Sequence, residues 1–343
     1  MKSKLLALVL ASTMLFTACG GKESKGDSTT STENGGEVIE ITYGHGFNPG
    51  TPQALAADEF KKRVEEESNG KVIVNVFPAG QLGSAREMYE SVQMGVQQIA
   101  LLPTARISGF CKELQIFDMP FLFPDKETAY KIFDGPEGKE ILGALESSGI
   151  KGLAIYEDGF KQFTCNQKIE KASDFKGLKF RTMESAIIME QFKAMGANPV
   201  PVDFGELYNA LQQKTVDGQE NPLVTIESVR LYEVQKYLLM SNHAYLGHIF
   251  LASKDWLENL PEDISEILTR NAQELAVWER EGKKENKSSI NYLKTIKDSG
   301  TVVTEISEEA ANEMRELMKP VYKIAEDVIG KELVDKVVNA AQK

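Results

Sequence analysis

Between residues 38 and 102, three short apolar runs alternate with two segments of helical period, and this constrains the fold more than any other feature. Residues 38–43 alternate apolar and polar side chains, as a half-buried strand does; residues 72–77 and 98–102 supply a second and a third strand. Residues 53–67 carry Leu55, Phe60 and Val64 at helical spacing and stop at Asn69-Gly70. A second helix, 85–94, follows the break at Pro78-Ala79-Gly80. Such alternation predicts an α/β fold with a mainly parallel sheet. Ligand-contacting groups then gather beyond the carboxyl ends of the strands. The three loops there hold His45 and Phe47, Gln81, and Thr104 with Arg106.

The pattern repeats further along. A helix over 126–147 leads to a strand over 150–156 that ends at Glu157-Asp158-Gly159-Phe160-Lys161. A second α/β unit begins there, with a strand closing at Phe180-Arg181-Thr182, a helix over 186–195, an extended run over 200–202, a helix over 206–213 and a strand over 216–220. Two linked sheets with a cleft between them form a clamp for a small molecule. Residues 261–296, with Trp278 packed, read as one or two long helices; an extended segment (301–304) and helices over 307–325 and 327–341 complete the chain.

The amino terminus has a different character. Lys2 and Lys4 precede an apolar run over 5–16, which reads as a secretory signal peptide covering 1–18 and is too short to span a bilayer comfortably. Its ending, Leu15-Phe16-Thr17-Ala18-Cys19-Gly20, resembles the lipobox of bacterial lipoproteins, with Phe16 where leucine is usual. That resemblance implies lipidation of Cys19. Residues 20–37 hold no aromatic or large aliphatic side chain, so they cannot offset their ordering entropy by burial; 19–37 is expected to be a flexible tether. Each acyl methylene buried in the membrane contributes about 0.8 kcal/mol to anchoring. The remaining cysteines, Cys111 and Cys165, form either one disulfide or two buried thiols.

The chain carries 39 basic and 51 acidic residues, a formal charge of -12. A nucleic-acid partner would want a basic face, so that class is excluded. There is no metal-ligand spacing, no Gly-x-Gly-x-x-Gly, no Walker pattern and no Gly-x-Ser-x-Gly. No cofactor or metal is expected, and no catalytic residue is assigned.

Arg181 leads the candidate binding residues, because a guanidinium offers a rigid fork of donors matched to a carboxylate. Its context is specific. Asp174-Phe175-Lys176-Gly177-Leu178-Lys179-Phe180-Arg181, Phe204-Gly205-Glu206-Leu207-Tyr208-Asn209-Ala210-Leu211-Gln212 and Val216-Asp217-Gly218-Gln219-Glu220-Asn221-Pro222 follow one another in order, after Phe77-Pro78-Ala79-Gly80-Gln81-Leu82-Gly83 and Pro120-Phe121-Leu122-Phe123. From residue 38 to the end the chain resembles the extracytoplasmic solute-binding proteins of tripartite ATP-independent periplasmic (TRAP) transporters, of the dicarboxylate-binding DctP type.

The resemblance implies a two-domain periplasmic-binding-protein-like α/β fold with an interdomain cleft, crossing strands and a long helix in the carboxyl-terminal half. Domain I is expected to comprise 38–158 with 247–286, and domain II 159–246 with 287–343. It implies a non-enzymatic protein that captures a small organic carboxylate and hands it to small and large membrane subunits. Arg181 pairs with the carboxylate, Asn221 supports the pair and Phe204 lines the cleft. Met183 joins this ligand-contacting set, as do His45, Gln81 and Thr104 from the strand-end loops, and Glu220 is a candidate to orient Arg181 from behind. Family members often have Gly-Phe-Arg-x-x-Thr; here Gly159-Phe160-Lys161 puts lysine at the arginine position, keeping charge for a second carboxylate but losing the fork. Ala85 and Pro103 stand where sialic-acid-binding members carry acidic residues, which favours a smaller or more apolar acid. The expected location is extracytoplasmic, with the protein lipid-anchored to the cell membrane. A hydrolytic or other enzyme and a surface adhesin are the alternatives.

Overall fold

The computed structural model describes residues 38–282 and 289–342. The expected signal peptide (1–18), Cys19 and the expected tether lie outside the described residues.

The first α/β unit forms as its periodicities predict. β1 (Ile39–His45) leads to α1 (Pro52–Glu67), whose N-cap Thr51 accepts a hydrogen bond from the Ala54 N–H and whose first position is proline, pre-set for a helix start. Ala56, Ala57, Phe60 and Val64 form its buried face. β2 (Val72–Phe77), α2 (Ala85–Gln93), β3 (Ile99–Pro103) and a single helical turn, α3 (Thr104–Ile107), follow. Ser84 and Glu87 close a reciprocal capping box at the start of α2. β1 lies between β2 and β3, parallel to both.

The expected helix over 126–147 is two helices, α4 (Lys126–Asp134) and α5 (Pro136–Ala144), followed by a 3-10 turn. Gly135-Pro136 breaks it: proline has no N–H for the preceding turn, but it opens the next helix well. The expected strand over 150–156 does not end at Tyr156. β4 (Ile150–Cys165) continues for 16 residues through the Glu157–Lys161 segment.

The second unit comprises β5 (Lys179–Thr182), α6 (Ala186–Ala194), β6 (Asn198–Pro201), α7 (Leu207–Gln212), β7 (Gly218–Pro222), α8 (Leu223–Ser228) and β8 (Tyr237–Met240). β9 (Tyr245–Ser253) then returns to the first unit, buried along its whole length. The chain ends in α9 (Lys254–Glu258), α10 (Glu262–Gly282), α11 (Ser289–Asp298), β10 (Val302–Glu305), α12 (Glu308–Ile329) and α13 (Lys331–Ala341).

The sheet runs β2-β1-β3-β9-β4-β7-β5-β6, with β8 on β4 and β10 on β8. It is mixed, not mainly parallel: β4 and β9 pair antiparallel with each other, β9 with β3, and β4 with β7 and β8. The cause is that one long strand carries the chain out of the first unit and another brings it back. Parallel pairing survives in the outer strands of each unit. The 21-residue α10 packs on α1 and β4, burying Leu268, Ala272 and Leu275 against Tyr43, Phe60 and Phe250. A separate apolar cluster unites α7, α8, β8 and α11. Among the described residues no helix is long and apolar enough to cross a membrane.

Candidate ligand-binding site

A cavity of about 340 Å³ opens at the carboxyl ends of β1, β2 and β3, where the loops 46–48, 79–83 and 103–106 face β5, β7, α8 and the segment 203–205. This is the position open α/β sheets reserve for ligands. Its walls are largely apolar, with Phe47, Met88, Leu102, Met183, Phe204 and Leu246 among them. Two hydrogen-bonded ties span it: Asn48 Nδ2 donates to the Ser228 carbonyl at 2.9 Å, and Arg106 Nη1 lies 2.6 Å from Asp203 Oδ2.

Arg181 enters from β5, which pairs with β7 so that Arg181 stands beside Gln219. Strand pleat places Arg181, Gln219 and Asn221 on one face, and Arg181 and Asn221 both line the cavity. The guanidinium is 1 % exposed. Its Nε donates to the Val202 carbonyl at 3.0 Å, while Nη2 is buried with no partner. Burial, then the neighbouring Arg106 charge, pulls its pKa from the ordinary 12.5 down to about 9, so it is still a cation at neutral pH. A buried donor left unmade is costly, so the side chain is prepared for an acceptor in the cavity. Asn221 Nδ2 donates to Gln219 Oε1, which orients its amide.

Phe204 and Met183 also line the cavity, as do Ala85 and Pro103. Other expected contacts lie elsewhere. Lys161 is wholly buried away from the cavity, with Nζ 2.8 Å from Glu220 Oε1 and 4.0 Å from Asp118 Oδ1. The antiparallel register explains this: Asn221 pairs with Gln162 and Glu220 with Phe163, so Lys161 shares the Glu220 face, opposite Asn221. Glu220 therefore holds Lys161 and, through Oε2 at 2.6 Å, His243 Nε2; it makes no hydrogen bond to Arg181. Burial opposes its ionisation, but the Lys161 charge and the His243 bond outweigh burial and hold its pKa at about 2.

His45 is buried, its Nδ1 accepting from the Phe47 N–H at 3.2 Å. Burial lowers its pKa to about 4, so the ring is neutral, and it is Phe47 that reaches the cavity. Gln81 is exposed and Thr104 is buried beside Gly247; neither lines the cavity. Cys111 and Cys165 are free, buried thiols, and burial pushes the Cys111 thiol up to about 12.

Sequence reasoning noticed Arg106 and Asp158 only as loop residues and passed over Asp203. All three line the cavity. Asp158 accepts from Thr225 Oγ1 at 2.8 Å and from Gln53 Nε2 at 3.2 Å, joining α8 and α1 to the crossing strand. Asp203 caps the 3-10 turn at Phe204–Glu206 by accepting the Gly205 N–H. An acidic residue directly before a turn is a readable capping signal, but nothing local names Arg106 as its partner. No group of side chains able to hold a metal ion exists among the described residues.

The model of the family described as bacterial extracellular solute-binding protein, family 7 (DctP), matches residues 43–327. The chain belongs to the DctP family. A DctP relative from Vibrio cholerae serotype O1, named C4-dicarboxylate-binding periplasmic protein DctP, is 33 % identical over 309 residues, covering 90 % of this chain and 92 % of its own. Two solved structures align along the same length. The sugar acid binding protein DctPAm from Advenella mimigardefordensis strain DPN7T, in complex with galactonate, has a TM-score of 0.85 and 37 % identity, covering 89 % of this chain and 98 % of its own. A TRAP periplasmic solute-binding protein from Desulfovibrio salexigens, with bound orotic acid, has a TM-score of 0.85 and 36 % identity, covering 89 % and 99 %. This DctP member thus shares the two-domain architecture of TRAP solute-binding proteins, and it is an extracytoplasmic binding protein rather than an enzyme.

Proposed function

We propose that this protein captures a small organic acid by its carboxylate at Arg181 and delivers it to the membrane subunits of a TRAP transporter. The observation that carries the reading is the buried Arg181 Nη2, which has no partner although Arg181 and Asn221 line the same largely apolar cavity. Phe204 and Met183 enclose the bound molecule, and Val202 holds the guanidinium plane. Relatives named or crystallised with dicarboxylate, galactonate and orotic acid share the carboxylate and little else, which fits recognition through one arginine.

Ligand entry requires the walls to part. In this reading the chain divides into 38–158 with 247–286 and 159–246 with 287–343, and a hinge at their junction is supported by the β4–β9 register shift between the Glu157–Gly247 and Gly159–Leu246 pairs, with Gly159 at φ 117°. The lipobox-like ending at Cys19 and the polar residues after it support an anchored protein on the outer face of the cell membrane. Cys19→Ser is expected to release it from the membrane fraction.

A thermal-shift screen over monoacids, diacids, sugar acids, amino acids and neutral sugars tests the function. Stabilisation by acids, lost in a folded Arg181→Ala variant, is the expected result. Stabilisation by neutral sugars alone would remove the carboxylate reading.

A further inference from the structure

Four lining side chains carry formal charge: Arg106, Arg181, Asp158 and Asp203. Arg181 keeps a buried donor unused, but Arg106 does not stand ready in the same way. Its Nη1 is 2.6 Å from Asp203 Oδ2 and its Nη2 donates to the Val202 carbonyl at 3.2 Å. Asp203 is half-exposed, but its other oxygen accepts the Gly205 N–H at 2.9 Å and caps the turn that carries Phe204, which fixes it in place. Moving it off Arg106 would disturb a wall of the cavity. Lys161, the cation that could have met a second carboxylate, is spent on Glu220 behind β4. Around the cavity the two arginines and two aspartates cancel, and the surface between them is mostly apolar.

We infer that Asp203 is a specificity-determining residue that neutralises Arg106 and so restricts the cleft to monocarboxylates with an apolar body. This deepens the carboxylate reading above and rests on it. A monoanion pairs with Arg181 and lays its hydrocarbon part against Phe204, Met183 and Leu102. A dianion of the same shape brings a second carboxylate to a wall whose other guanidinium is already taken. It must leave that carboxylate unpaired or compete with Asp203, and the like charge of Asp203 repels it.

Succinate and isocaproate form a matched pair, since an isopropyl group in the second replaces one carboxylate of the first at nearly equal size. Calorimetric titration of the full exported chain with each acid gives the affinity ratio. Isocaproate is expected to bind at least tenfold more tightly. Asp203→Asn frees Arg106 and is expected to move the ratio at least tenfold toward succinate. In the double variant Asp203→Asn, Arg106→Gln that shift should disappear, because the released cation is gone. Because each ratio is read within one protein, a general loss of stability does not imitate the effect. Succinate binding as tightly as isocaproate in the unmodified chain, with binding still abolished in Arg181→Ala, overturns the inference and leaves the carboxylate reading intact. A ratio unmoved by Asp203→Asn also overturns it. Failure of every acid in the wider screen overturns both.

Discussion

Lys161 and Asn221 lie on adjacent strands within one residue of register, yet their side chains occupy opposite faces of the sheet. Asn221 lines the cavity, whereas Lys161 is buried behind it against Glu220. Lysine in place of the family's arginine therefore bears on stability. Removing one partner of a buried ion pair costs about 3–5 kcal/mol, because the other charge is left uncompensated. Lys161→Met is expected to lower the urea midpoint by a corresponding amount. An unchanged midpoint would show that the pair contributes nothing.

Arg181 should behave in the opposite way. If Arg181 pairs with the ligand as proposed, Arg181→Ala removes a buried charge and its donors from the site, a change that costs about 2–5 kcal/mol. At about 1.4 kcal/mol per tenfold, affinity should fall roughly 30-fold to several thousand-fold. Arg181→Lys should also lose substantially, since it keeps the charge without the fork. Titration calorimetry on folded variants checks this, and near-unchanged affinity would remove Arg181 from the site.

The buried cluster behind the sheet predicts an unusual acid limb. Burial, opposed by the Lys161 charge, raises the Asp118 pKa from the ordinary 3.8 to about 6. Folded Asp118 thus holds its proton more tightly than the unfolded chain does, so its ionisation costs stability as pH rises from about 4 to about 6. Glu220 acts with the opposite sign. Its folded pKa of about 2 lies below the ordinary 4.5, so its contribution is present above about pH 4.5 and lost as pH falls toward 2. Asp118→Asn should abolish the decline between pH 4 and 6, as read from urea titrations at several pH values. A decline that persists would place its origin in another group.

Gly218 opens β7 where the backbone of β4 passes close by. A Cβ there would sit 2.5 Å from the Thr164 carbonyl oxygen and 2.6 Å from the Phe180 ring. This glycine serves close approach; its φ is not in the left-handed region. Overpacking a tight core typically costs about 1–3 kcal/mol, so Gly218→Ala should lower the melting temperature measurably. Gly46→Ala, which meets nothing within 4 Å, is the control that should not.

The strands and helices of the first unit and the loops at their ends were legible in the sequence, and the family motifs named Arg181, Asn221 and Phe204 as candidates, all of which line the cavity. They depend on short-range signals: alternation of period two, helical spacing, glycine and proline punctuation, and motifs of a few residues. Which face of a strand meets the ligand was not legible. It depends on pairing register, and a shift of one residue reverses every side chain. Lys161 was expected at the ligand because it stands at the arginine position of the family motif and keeps the charge, and only the β4–β7 register sends it to Glu220. His45 likewise turns into the core and leaves Phe47 to the cavity. Arg106 and Asp203 are 97 residues apart, and no local pattern could pair them. The sequence determined the elements and the chemistry available to them; the crossing of β4 and β9, a non-local pairing, decided which of those groups face one another across the cleft.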